Sequence, residues 1–232
     1  MSGFTFKQFH INQQHCAMKV STDGILLGAW AEVVDCQRIL DMGSGTGLLA
    51  LMLAQRSTRS CQIDAVELDP SAAQQAKENI HASPWHHRIS LVQDDVQHFL
   101  QTTAHRFDLI VANPPYFTQG VACKNEEREL ARYTKQSHLD WLTWAAERLS
   151  EKGKISFVLP YEAAKTLEKQ TALYCVKQTD IITKIGKPAQ RMLITFSKQP
   201  QESLHDQIVI YDEKNRYTKE FIELTKDFYL KF

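Results

Sequence analysis

Ile39-Leu40-Asp41-Met42-Gly43-Ser44-Gly45-Thr46-Gly47-Leu48 reads as a buried strand, a glycine-rich turn and the first residue of a helix. Glycine accepts positive φ and lets a ligand lie against bare backbone, so a turn of this kind between strand and helix is a binding loop as well as a connection. A dinucleotide fingerprint would need a further glycine at position 48, which is Leu48, so pyrophosphate binding is disfavoured. Outward from the loop, short apolar runs near residues 38–41, 62–66, 89–92, 108–112 and 154–159 alternate with helical patterns near 48–55, 71–81, 96–102, 139–149 and 163–172. That alternation predicts an α/β fold with a mostly parallel sheet and helices on both faces.

The chain changes character after residue 172. Residues 175–185 and 192–197 are both β-like and are joined by the turn Gly186-Lys187-Pro188. Strands joined so tightly must run antiparallel, so an antiparallel hairpin should complete a seven-stranded sheet. One more strand is expected at 207–211 and a last helix at 218–229, with Phe221, Leu224 and Phe228 on one stripe. Before the sheet, Asp23 is expected to cap a helix that repeats Ile25, Leu26, Ala29, Trp30 and Val33 at helical spacing. We read one domain over 1–232, with 1–36 an N-terminal extension and helix, 37–200 the catalytic core and 201–232 a C-terminal strand and helix.

Of 232 residues 43% are hydrophobic, enough for one sizeable core. Lys+Arg and Asp+Glu each number 27, so no net field draws the molecule onto a polyanion and any such site must be local. Five scattered cysteines (Cys16, Cys36, Cys61, Cys123, Cys175) show no metal-ligand spacing; they read as reduced thiols, and no metal is expected. The start lacks a basic-then-apolar signal and no apolar run approaches the ~20 residues of a membrane span. A soluble cytoplasmic monomer without membrane attachment is the expectation.

Past the loop, Ala65-Val66-Glu67 ends the second strand in a carboxylate, where an acid can accept both hydroxyls of a ribose. Glu67 and Asp69 also fit a plain turn before Pro70. Asp41, immediately ahead of the glycines, is suited to holding backbone or a ligand ammonium, or to forming the turn. Gln93-Asp94-Asp95-Val96 follows the third strand. In this order the motifs resemble the class I methyltransferases, a Rossmann-like family. The resemblance implies S-adenosyl-L-methionine as cofactor, with Gly43, Gly45 and Gly47 beneath it, Glu67 on its ribose and Asp95 at its adenine amine, Asp94 competing for that last role.

The fourth strand, Phe107-Asp108-Leu109-Ile110-Val111-Ala112, runs into Asn113-Pro114-Pro115-Tyr116. Two prolines fix φ and keep the preceding residues out of helical geometry, so the turn is stiff and extended. The Asn113 side-chain oxygen, with the Asn113 or Pro114 carbonyl, can accept both protons of one amine. An amine conjugated to a ring or carbonyl is a poor nucleophile, and two such bonds favour the pyramidal form while stabilising the charge that develops during attack. Tyr116 offers a π-face for a planar base extruded from its stack. The tetrad is similar to that of amino-methyltransferases acting on adenine, on guanine N2 and on glutamine amides, so it marks the nucleophile class more narrowly than the substrate.

Lys19-Val20-Ser21-Thr22-Asp23-Gly24-Ile25-Leu26-Leu27-Gly28-Ala29-Trp30 resembles the N-terminal motif of the bacterial tRNA1(Val) adenine-N6 methyltransferases. Phe4-Thr5-Phe6-Lys7-Gln8-Phe9, Asn79-Ile80, Ser83-Pro84-Trp85, Ala131-Arg132-Tyr133-Thr134 and Phe228-Tyr229-Leu230 extend the likeness over most of the chain. It implies methylation of adenine N6 beside the anticodon of a tRNA, with Lys19, Thr22 and Asp23 near the methionine end of the cofactor. Rival readings are an rRNA guanine-N2 methyltransferase, a protein glutamine-N5 methyltransferase and a non-catalytic S-adenosylmethionine-binding module. Independently, Lys177, Lys184, Lys187, Arg191 and Lys198 face only Asp180 across residues 174–198, a net of +4, and residues 1–22 carry +2. Such segregation suits RNA phosphates, with Lys184, Lys187 and Arg191 as candidate contacts and Tyr116 holding the base. Residues 117–136, long and next to the tetrad, read as a substrate lid. His86, His87, His98, His105, His138 and His205 show no partner pattern and are taken as surface residues.

Overall fold

The structure, a computed structural model, describes residues 3–14, 16, 18–115 and 136–232. A small hairpin of β1 (Gly3–Thr5) and β2 (His10–Asn12) precedes α1 (Thr22–Trp30). The main sheet is built from β3 (Arg38–Met42), β4 (Gln62–Glu67), β5 (Ile89–Gln93), β6 (Phe107–Ala112), β7 (Leu149–Pro160), β8 (Tyr174–Lys184), β9 (Arg191–Ser197) and β10 (Leu204–Tyr211). Helices α2 (Leu48–Arg56), α3 (Pro70–His81), α4 (Val96–Thr102), α5 (His138–Arg148), α6 (Tyr161–Gln170) and α7 (Lys219–Thr225) link or follow them.

The eight strands lie in the order β10-β8-β9-β7-β6-β3-β4-β5, all parallel except β9. The expected hairpin is there, with β9 inserted between β7 and β8, and the eighth strand extends the expected seven by pairing parallel with β8. Side chains alternate across the sheet: Ile39, Leu109 and Val111 join the core under α1, α2, α3 and α7, while Leu40, Ile110 and Ala112 join the one under α4, α5 and α6. Both faces are therefore apolar and covered, which is what a parallel sheet requires.

Two local expectations are corrected, and one further element had no counterpart among them. Asp23 does not cap α1; Ser21 does, its hydroxyl accepting from the Gly24 N–H at 3.3 Å, because an N-cap side chain must reach the third helical N–H. Asp23 is already the second residue of the helix, two positions too late for that. The last helix covers Lys219–Thr225 rather than 218–229, with Thr218 as its cap. Phe221 and Phe228 are both buried nonetheless, the second from the turn beyond the helix, because the chain there must return to meet the N-terminus: the Lys7 N–H and ammonium donate to the carbonyls of Phe228 and Lys226. The β1–β2 hairpin lies in a stretch that carries no turn signal of its own. It is held by Phe6 and Phe9, stacked 4.5 Å apart, against Trp85.

Candidate active site

Strand register sets the layout. Met42 of β3 lies opposite Val66 of β4 and Ala112 of β6, and Glu67 lies opposite Gln93 of β5. The residues that follow, Gly43, Glu67, Asp94, Asp95 and Asn113, therefore leave the sheet along one carboxyl edge. Chain order reverses there, since β4 and β5 lie on one side of β3 and β6 and β7 on the other. This is the crevice where open α/β sheets bind ligands. Two strand spacings separate β4 from β6, so Glu67 and Asn113 flank the glycine loop roughly 10 Å apart.

The loop takes the backbone that its glycines permit, with φ of +71° at Gly43, +54° at Gly45 and +80° at Gly47. Gly43 and Ser44 both donate to the Val66 carbonyl at 2.9 Å, pinning the loop to the next strand. A Cβ built at Gly45 would meet nothing within 4 Å, so open space lies above it. Glu67 is 8% exposed; its Oε2 accepts from the Gly45 N–H at 2.7 Å and its Oε1 from the Asp69 N–H at 2.9 Å. Burial pushes its pKa up, while those two N–H groups pull it down. The carboxylate thus shapes the loop it borders, and its remaining lone pairs still suit two hydroxyls.

Asp41 is fully buried, with Oδ2 accepting from the Ala50 N–H at 3.0 Å and Oδ1 making no bond among the described residues. Burial, opposed by Ala50 and reinforced by the Glu67 charge, raises its pKa to about 7. A buried oxygen left unpaired is expensive, and together with the open space over Gly45 and the diol-ready Glu67 it fits a cofactor bearing an ammonium and a ribose. Of the two acids after β5, Asp94 engages the exposed His98 at 2.7 Å. Asp95 caps α4, its Oδ1 accepting from Gln97 and His98 N–H while Oδ2 makes no bond among the described residues.

On the other flank, Pro114 is buried and Asn113 and Pro115 are partly so. Tyr116 and the expected lid, except Gln136, lie outside the described residues. Lys184, Lys187 and Arg191 reach this same edge, because β8 ends and β9 begins there: Arg191 lies opposite Pro160, the last residue of β7. They differ in character. Arg191 donates from Nε to Asp23 at 2.9 Å, tying the hairpin to the start of α1 and so to Lys19 and Thr22, while Lys184 donates to the neutral Asn215 at 2.7 Å and Lys187 is exposed.

Three residues that carry weight here drew no role from the sequence. Asn79, 2% exposed, exchanges hydrogen bonds with the Asn12 backbone and donates to the Thr46 carbonyl, fastening the N-terminal hairpin to the glycine loop. A polar residue continuing the apolar stripe of Ala72, Ala73 and Ala76 was the available signal. Trp141 packs on Gly43. His138, taken as a surface residue, is half-buried, with burial holding its pKa below the usual range against an opposing pull from the Pro115 backbone; nothing local in sequence marks it. His98 and His205 are exposed as expected, though each meets a carboxylate.

Residues 24–176 match the family model of the methyltransferase small domain. The chain is 76% identical over all 232 residues, covering 100% of both proteins, to a tRNA1(Val) (adenine(37)-N6)-methyltransferase of Haemophilus influenzae (strain PittEE). It is 61% identical to the protein of that name from Pasteurella multocida (strain Pm70), covering 100% of this chain and 98% of the relative. Among solved structures it resembles a predicted O-methyltransferase of Agrobacterium tumefaciens, with a TM-score of 0.70 at 19% identity, covering 89% of this chain and 96% of that one. That last likeness concerns the fold.

Proposed function

Since the chain belongs to the methyltransferase small domain family, and to the tRNA1(Val) (adenine(37)-N6)-methyltransferases, we propose that it methylates N6 of adenine 37 in tRNA1(Val) with S-adenosylmethionine as donor. The observation that carries the reading is full-length identity of 76% to a protein of that activity, combined with a glycine loop and an Asn-Pro-Pro turn on one sheet edge. The guanine-N2, glutamine-N5 and non-catalytic readings are not favoured.

When bound, S-adenosylmethionine supplies an electrophilic methyl group. Of the protein's own residues, Gly43, Gly45 and Gly47 would form the floor beneath it, Glu67 would receive its ribose hydroxyls and Asp95 would meet its adenine amine. Asp41, Lys19, Thr22 and Asp23 would serve its amino-acid end. Asn113 accepts a hydrogen bond from one N6–H with its side-chain oxygen and its own or the Pro114 carbonyl accepts one from the other, which localises the nitrogen lone pair without removing a proton before attack. Tyr116 stacks on the extruded base, and Lys184 and Lys187 bind phosphates, with Arg191 contributing through its tie to Asp23.

A single catalytic domain, monomeric, metal-free and cytoplasmic, completes the reading. Among the described residues no helix is long and apolar enough to cross a membrane, and no group of three or more His, Cys, Asp or Glu side chains is arranged to hold a metal. The decisive experiment is methyl transfer to tRNA1(Val) carrying adenine or guanine at position 37. Transfer to the adenine form alone, with N6-methyladenosine as product, is the expected result; equal labelling of both overturns the target.

A further inference from the structure

Two parts of the cofactor site come from separate stretches of chain: the glycine loop follows β3, whereas Lys19 and Thr22 stand at the entrance to α1. One buried side chain of α3 joins them. Ala76 and Ile80 lie against the loop, with Cβ and Cγ1 respectively 3.5 and 3.6 Å from where a Gly47 Cβ would stand. Asn79 shares their face of the helix. It is 2% exposed, donates from Nδ2 to the Thr46 carbonyl and to the Asn12 carbonyl, each at 2.9 Å, and accepts from the Asn12 N–H through Oδ1 at 2.9 Å. Both donors of the carboxamide and its oxygen are engaged.

From Asn12 the connection runs on toward α1. The Oε1 of the next residue, Gln13, accepts from the Val20 N–H at 2.8 Å. That clasp sets Lys19 directly ahead of it and Ser21, the cap of α1, directly after it. The start of α1 has its own hold on the exit of the loop, since a Cβ at Gly24 would stand 3.1 Å from Leu48 Cδ2. Lys19 and Thr22 therefore lie between two attachments to one loop, at Thr46 through Asn79 and Gln13 and at Leu48 through Gly24. Position 79 continues a buried stripe of Ala72, Ala73 and Ala76, where an apolar side chain would pack but would leave the Thr46 carbonyl and both Asn12 groups without these bonds.

We propose that Asn79 is a positioning residue for S-adenosylmethionine, its carboxamide setting Lys19 and Thr22 against the glycine loop so that the amino-acid end of the cofactor meets a frame already aligned with the ribose end. The proposal rests on the placement of Lys19 and Thr22 at the amino-acid end given above. Its consequence is selective. Without Asn79 the grip on the amino-acid moiety loosens, while the adenosine, received by Glu67 and Asp95 at the sheet edge, is still held.

Two ligands that differ only in that moiety provide the test. S-adenosylhomocysteine carries the amino acid, and methylthioadenosine has a methyl group in its place; calorimetric titration of the full chain gives the affinity for each, with melting temperature measured alongside. In Asn79→Ala, affinity for S-adenosylhomocysteine should fall roughly tenfold to a hundredfold, the range of one charge-assisted hydrogen bond, while affinity for methylthioadenosine stays within about threefold of wild type. In steady-state methylation of tRNA the KM for S-adenosylmethionine should rise by a similar factor, with kcat within about threefold. Gln13→Ala, which opens the clasp without touching α3, should show the same selective loss to a smaller degree, and it decides the matter if Asn79→Ala does not fold. Equal losses for the two ligands overturn the proposal, since a collapsed loop would weaken both, and so does the absence of any loss. Lys19→Ala separates the two layers: unchanged affinity for S-adenosylhomocysteine there defeats the placement of Lys19 itself, whereas a selective loss in Lys19→Ala beside none in Asn79→Ala and Gln13→Ala defeats only the role of Asn79.

Discussion

Replacing Glu67 by glutamine changes one atom and disturbs two functions. In the wild type each carboxylate oxygen accepts a backbone N–H, from Gly45 at 2.7 Å and from Asp69 at 2.9 Å. Hydrogen bonds to a charged acceptor contribute about 1.5–3 kcal/mol each, and a neutral one about 1 kcal/mol. An amide retains one of these in neutral form and turns its NH2 toward the other N–H, leaving two donors face to face in a site only 8% exposed. Against that loss stands a gain, since a buried negative charge is removed whose pKa burial already raises and whose field also raises that of Asp41. The balance is a loss of about 1–3 kcal/mol, which for a chain of this size is a fall in melting temperature of roughly 2–12 °C. Cofactor affinity should weaken by a similar free energy, about 5- to 150-fold, because the loop floor shifts and the ribose loses a charged acceptor. Calorimetric titration with S-adenosylmethionine and a thermal melt read the two effects separately. A variant with wild-type affinity would remove Glu67 from the cofactor site, and one that also melts normally would contradict the hydrogen-bond reasoning itself.

Asn113→Ala should lower turnover by about a hundredfold or more while leaving cofactor affinity nearly intact, because its bond matters mainly as charge develops; rapid-quench methylation decides this. Asp41, raised by burial to about 7, holds its proton in the folded state between roughly pH 4 and 7 where the unfolded chain has lost it, so stability should decline as pH rises through that window, by a few kcal/mol at most. Denaturant unfolding at pH 5 and pH 8 should show this for the wild type and much less for Asp41→Asn, and an identical slope in the variant would reassign the titrating group. Changing Lys184 and Lys187 together to alanine should flatten the log–log salt dependence of tRNA binding by about 1.5 units, whereas Arg191→Ala, whose charge is already matched by Asp23, should change it much less; a triple variant with the wild-type slope would move the RNA face elsewhere.

How much of this was legible in advance follows from which interactions are local. The strand, glycine turn and helix at 38–56, the acid ending β4 and the Asn-Pro-Pro turn could be read from the chain because each depends on backbone preferences within a few residues: φ at glycine, the fixed ring of proline, and the period of burial. The hairpin at 174–197 was legible for the same reason, its short turn permitting only antiparallel strands. Where β9 inserts was not, since pairing order is settled by which apolar faces meet across the whole sheet. The same holds for the cap of α1, where Ser21 and Asp23 both satisfy the local rule and only the position of Arg191, 168 residues away, gives the aspartate other work. Arg191 and the lysines of the hairpin looked alike in a charge count, yet the fold pairs one of them and leaves Lys187 exposed. Asp41 could be suited to a ligand from its place before the glycines, but its unpaired oxygen and raised pKa come from complete burial, which only the packed sheet provides.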